Sequence, residues 1–118
     1  MKSYKRQDRV ASLIMRELAT IMIREKISPI FSKITITSVR VSPDLVHAKV
    51  FVTVWDKERI DEAMKELDEN VYLLQHLLVK KLNLRVATKL HFVYDTSIEY
   101  ASKMSELIDK AVAKSNEK

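Results

Sequence analysis

Three observations place this chain in the α+β class, as a three-stranded sheet covered by helices. Apolar residues at helical spacing open the chain, β-branched and alternating segments follow, and a second helical region separates them from a third strand-like run. No internal repeat, low-complexity linker or shift in composition divides the 118 residues, a length that suits one core. Hydrophobic residues make up 47% of the chain and charged residues 31%, the balance of a domain able to fold in water.

The first helix is expected from about Lys5 to Glu25, where Val10, Leu13, Ile14, Leu18, Ile21 and Met22 recur at steps of three and four. Arg6, Arg9, Arg16 and Arg24 fall on its other face. Pro29 ends the helical region, because proline lacks a donor and restricts the residue before it. The first strand spans Ile34 to Val41, dense in β-branched residues, but its alternation changes phase at Ser38, which predicts a bulge or a twist. Ser42-Pro43-Asp44-Leu45 suits a type I turn. Val46, Ala48, Val50, Val52 and Val54 then alternate with His47, Lys49, Phe51, Thr53 and Trp55, so the two strands should pair as an antiparallel hairpin.

Asp56 is a natural helix cap, and Ile60, Met64, Leu67, Val71, Leu74, Leu78 and Leu82 keep one apolar face through a long helix or two nearly collinear ones. Leu90 to Tyr94 is the third strand, reached by a crossover that covers one sheet face. Thr96 and Glu99 form a capping box for a last helix carrying Ile98, Ala101, Met104, Ile108 and Ala111. One domain over residues 1–113 and a flexible tail over 114–118 are expected.

The formal net charge is +5, a surplus that favours phosphate-rich partners. It is unevenly placed. Residues 1–59 carry twelve Lys/Arg against six Asp/Glu, residues 60–118 nine against ten, and from Asn70 to Tyr94 no acidic residue occurs. No apolar run reaches the roughly 18 to 20 residues of a membrane span, and the opening segment lacks the apolar stretch of a signal peptide, so a cytoplasmic location is expected. Cysteine is absent, which excludes disulfides and cysteine-containing zinc sites. Glycine is absent too, which excludes the P-loop, the dinucleotide-binding loop and the Gly-x-Ser-x-Gly nucleophile turn.

The element order matches the type II KH arrangement, α-β-β-α(α)-β plus a carboxyl-terminal helix. Three stretches, Arg9-Val10-Ala11-Ser12-Leu13-Ile14, Val41-Ser42-Pro43-Asp44-Leu45-Val46-His47-Ala48-Lys49-Val50 and Leu90-His91-Phe92-Val93-Tyr94-Asp95-Thr96-Ser97-Ile98-Glu99, resemble ribosome-binding factor A, and the resemblance runs over roughly residues 5 to 108. The resemblance implies a non-enzymatic factor that binds the maturing small ribosomal subunit near its rRNA and assists late processing or folding. In that family an Ala-x-Gly interruption replaces the Gly-x-x-Gly clamp of ordinary KH domains; here the place reads Asn70-Val71-Tyr72. Valine and tyrosine obstruct close backbone approach to a phosphate, so RNA contact must rest on side chains. Asn70 permits a kink by visiting the left-handed region, and a continuous helix is equally open.

The candidate RNA-binding residues are therefore Lys80, Lys81, Arg85 and Lys89 around the end of the central helix, Lys5, Arg6 and Arg9 in the amino-terminal arm, and Asn70 at the interruption. Cations at a helix end also complement its dipole, which is the plainer reading of Lys80 and Lys81. At the start of a helix cations oppose the dipole, so the arm gains nothing locally and a phosphate partner or simple solubility accounts for it. Trp55, Tyr72, Phe92 and Tyr94 offer base-stacking faces, with core positions the better account of Phe92. His47, His76 and His91 lie on different elements without ligand spacing and are expected as scattered surface or edge residues, not as a metal site. Asp61 with Glu62, and Asp68 with Glu69, fit a solvated helix face. No catalysis, cofactor or small-molecule substrate is expected, and a monomer is. Two alternatives stay open: a general nucleic-acid binder or translation regulator without small-subunit selectivity, and a dimer seamed along the Ile60–Leu82 apolar face.

Overall fold

The computed structural model describes residues 2–97 and 103–109, with side chains from residue 6 onward. Helix α1 (Lys2–Arg24) leads through a 3₁₀ turn (Pro29–Lys33) into strand β1 (Ile34–Val41). Strand β2 (His47–Val54), a 3₁₀ turn (Lys57–Arg59), helices α2 (Ile60–Glu69) and α3 (Val71–Leu82) and strand β3 (Lys89–Tyr94) follow. The sheet order is β1-β2-β3, with β1 antiparallel and β3 parallel to β2. A parallel neighbour requires a crossover, and α2 and α3 supply it.

Helices α1, α2 and α3 cover one face of the sheet. The alternation in β2 turns Ala48, Val50, Val52 and Val54 into a core with Ile14, Leu18, Leu67, Leu74 and Leu78, and leaves His47 and Lys49 exposed on the other side. The Ile60–Leu82 apolar face is consumed inside the molecule: Ala63, Leu67, Leu74 and Leu78 are buried and Ile60, Met64, Val71 and Leu82 pack against the same core. The sheet, not a second copy, covers the face that resembled a dimer seam.

Several local expectations acquire a specific form. The phase change in β1 is a bulge, since Ile36 pairs with Val52 and Ser38 with Phe51, leaving Thr37 as the extra residue. Its hydroxyl contacts the Phe51 carbonyl at 3.2 Å and the Asp95 carboxylate at 2.5 Å, which fastens β1 to the chain leaving β3. The hairpin turn closes through Leu45 N–H to Ser42 carbonyl at 2.9 Å, with Leu45 at φ 63°. Pro29 does more than connect: it opens the 3₁₀ turn that buries Ile30 and Phe31, two core residues without helical or alternating spacing to announce them.

Asp56 caps, but it caps the 3₁₀ turn, accepting from the Glu58 N–H at 3.1 Å, while α2 starts four residues later. The central helix is broken, not continuous. Asn70 sits at φ −109°, ψ 10°, outside the left-handed region, and its side-chain amide donates to the Glu66 carbonyl at 2.8 Å. Asp61, Glu62, Asp68 and Glu69 are exposed, as a solvated face requires, and Glu62 takes two bonds from Arg59 at 3.0 and 3.1 Å. At the far end residues 103–109 are helical and exposed, Met104 and Ile108 included. Ile98, Glu99, Ala101, Ala111 and residues 114–118 lie outside the described residues.

Candidate nucleic-acid interface

The end of α3 is built by Asn83, whose left-handed backbone (φ 52°, ψ 46°) stops the helix and lets the Asn83 and Leu84 N–H groups return to the Val79 carbonyl. Lys80 and Lys81 occupy the last turn and are exposed, as is Arg85 just beyond it. The two lysines line a shallow hollow of about 380 Å³ with Leu77 and, from α1, Ile21 and Glu25. Among the described residues Glu25 pairs with neither, so both ammonium groups stay available to an outside anion.

Lys89 does not join them. It opens β3 pointing away from the helices, opposite His47 in the parallel register, so the fold divides the expected cluster between two faces. The arm occupies a third position. Arg6 and Arg9 are exposed on the first turns of α1, and Lys5 is helical, its side chain lying outside the described set. Gln7 anchors this end of α1 by donating to the Val41 carbonyl at 2.8 Å, which brings Asp8 and Ala11 alongside Arg40 of β1. Asn70 is half-buried and spends its side chain on Glu66, so it shapes the break between α2 and α3 more than it offers a contact.

The aromatics separate by exposure. Phe92 and Tyr94 are half-buried against the core, whereas Trp55 is 84% and Tyr72 80% exposed, the latter in the first turn after the break. The histidines divide as well. His76 is exposed on α3, whereas His47 Nδ1 and His91 Nε2 lie 2.9 Å apart across β2 and β3, with ring centroids at 5.1 Å. Strand register, invisible in either segment separately, makes that pair. With it come Arg40 and Lys49, each an isolated cation in its strand and therefore outside any basic run of the sequence. The only local signal was that each occupies the alternate face of its strand.

The molecule thus presents exposed cations and aromatics on an α+β frame with no group of three or more potential metal-ligating side chains among the described residues. Residues 6–108 match the family model of ribosome-binding factor A. The chain is 43% identical over 110 residues to the ribosome-binding factor A of Coxiella burnetii (strain RSA 493 / Nine Mile phase I), covering 93% of this chain and 92% of that protein. Its structure is similar to the crystal structure of ribosome-binding factor A from Thermus thermophilus, with a TM-score of 0.66 and 23% identity over 75% of this chain and 94% of that one. It is similar, too, to the Thermus thermophilus homology model fitted into the cryo-EM map of a 30S complex, with a TM-score of 0.60 and 23% identity over 73% and 91% of the two chains. The structural likenesses establish the fold, and with the family match over residues 6–108 they lead to one conclusion: this chain belongs to the ribosome-binding factor A family.

Proposed function

We propose that the protein binds the small ribosomal subunit through its rRNA and assists late maturation or processing of that rRNA, by binding and not by catalysis. The family match across residues 6–108 carries this reading, and a fitted 30S complex of a structural relative supports it. Lys80, Lys81 and Arg85 are the phosphate contacts at the end of α3, with Arg6 and Arg9 adding charge from α1. No carboxylate among the described residues answers the two lysines, and condensed counterions displaced from rRNA supply the driving force. No cofactor is required by such a mechanism, and one copy suffices for it.

The test is co-sedimentation with isolated small subunits, large subunits and assembled ribosomes over a salt series. Selective retention on free small subunits is expected. Equal retention on every particle, lost together as salt rises, would instead assign a general nucleic-acid binder. Replacing Lys80, Lys81 and Arg85 together by alanine should weaken small-subunit binding and flatten the log-affinity against log-salt slope by roughly 2, the loss of three single-strand phosphate contacts. An unchanged slope in a folded variant removes this cluster from the interface.

A further inference from the structure

We propose that the open face of the sheet is a second RNA-contacting surface, taking the backbone phosphates of a single strand on Arg40, Lys49, Lys89 and the His47–His91 pair. Arg40 pairs with Lys49, and Lys49 with His91, so these three stand side by side across all three strands at the roughly 4.8 Å strand spacing. The next row toward the hairpin turn holds His47 opposite Lys89. Like charges directly opposite one another destabilise a sheet, and carboxylates in the adjacent rows would ordinarily offset that. Among the described residues neither Arg40, Lys49 nor Lys89 has an ion-pair partner; Asp8 of α1 lines a hollow beside Arg40 without pairing with it, and no carboxylate stands in the rows of Lys49 and Lys89. Asp44, in the hairpin turn, accepts on Oδ1 from the Ser42 hydroxyl at 2.6 Å and from the Val46 N–H at 3.0 Å; its charge is felt by His47, at the turn end of the face, and it forms no ion pair with Arg40, Lys49 or Lys89. An anion from outside the molecule completes the arrangement.

The local shape fits one. Arg40, Ser42, His47, Lys49 and His91 line a shallow depression of about 530 Å³. In the histidine pair one ring donates to the other, which leaves His47 Nε2 and His91 Nδ1 directed outward. The ring that accepts carries its proton on the outward nitrogen, which is thereby a donor suited to a phosphate oxygen. Half-buried Phe51 lies next along the same face and gives an apolar surface beside the cations, which a base can occupy; that combination selects a single strand over a lipid headgroup. Only the naming of RNA as the source of the phosphates rests on the proposed function. The face itself lies opposite α3, so it is separate from the Lys80–Arg85 cluster.

The full chain titrated with a single-stranded RNA oligonucleotide and followed by amide and imidazole NMR shifts tests this directly. Shifts at Arg40, Lys49, His47 and His91 are expected. Shifts confined to α1 and the end of α3 overturn the proposal, and so do sheet-face shifts produced by anionic lipid vesicles but not by RNA. In parallel, Arg40→Glu with Lys49→Glu should weaken small-subunit binding about tenfold and reduce the salt slope by roughly 1.4, two single-strand contacts. Arg40→Gln with Lys49→Gln gives the same reading should the acidic variant not fold. If the wild type is retained selectively on small subunits and these variants bind as it does, the sheet-face site fails while the proposed function stands. If the wild type is not retained selectively, the function fails and the NMR titration still judges the face.

Discussion

At the scale of single residues, the absence of glycine has a visible cost. The described backbone visits the left-handed region three times, at Lys26, Leu45 and Asn83, positions where glycine is the ordinary choice. Asn83 tolerates it best and ends α3; Lys26 and Leu45 hold it where the chain leaves α1 and turns between β1 and β2. Asp95 is the other residue with consequences beyond itself. Hydrogen bonds from Ser97, then from the Thr37 hydroxyl, hold its carboxyl below the ordinary 3.8. A lowered folded value means that the ionised form stabilises the fold, fully at pH values above the ordinary one, and that this contribution disappears as pH falls through the lowered value. Asp95→Asn should therefore unfold at lower urea than the wild type at pH 7, with the gap closing as pH drops below about 3.8. A gap that stays constant from pH 7 to pH 2 would show that the carboxylate charge contributes nothing.

At the scale of elements, α3 carries a core face and an exposed basic end on opposite sides of one helix. Leu74 and Leu78 are fully buried against the sheet, while Tyr72, Lys80 and Lys81 face outward. The Gln75 side chain accepts from the Leu90 N–H at 2.9 Å, so the helix is fixed to the strand it precedes. Leu74→Ala should lower stability by about 2 to 5 kcal/mol, the usual cost of emptying a leucine site in a core, measured by urea unfolding. RNA affinity of the folded fraction should not move, because the substitution touches no cation. The break at Asn70 permits this division: α2 and α3 each settle on the sheet without having to share one straight axis. Asparagine achieves the break from the bridge region, with its own side chain tied to Glu66, and needs neither glycine nor a left-handed turn.

At the scale of the whole molecule, exposed cations stand in three places: at the end of α3, on the first turns of α1, and on the side of the sheet away from the helices. The two proposed contacts, at the end of α3 and across the open sheet, would together fix one orientation of the protein, which a grip on one side alone would not. The two proposed surfaces share no residue and sit on opposite sides of the sheet, so their losses should add. Combining Lys80→Ala, Lys81→Ala and Arg85→Ala with Arg40→Gln and Lys49→Gln should reduce the salt slope by roughly the sum of the separate changes, about 3.5. A combined variant no weaker than either parent would mean that both sets report on one contact, and the two-sided arrangement would be wrong.

The amino-acid sequence alone determined the class, the element order from α1 to β3, the hairpin, the phase change in β1 and the core faces of α1, α2 and α3, because these are written in local spacing: steps of three and four, steps of two, and proline at a turn. The family was legible in another way, through the resemblance of three stretches to known members, and the apolar residues of the last helix, Met104 and Ile108, found no core to cover. The exposed positions of Arg6, Arg9, Lys80 and Lys81 were visible in the sequence as short basic runs, while their contact with RNA rests on the proposal above. Tertiary structure alone decided that Lys89 leaves that cluster, that His47 meets His91, and that Arg40 and Lys49 join them. Those neighbours are brought onto one surface only by strand register, set when β3 docks parallel to β2 with its apolar side toward the helices, and no local spacing announces which residues will meet across strands.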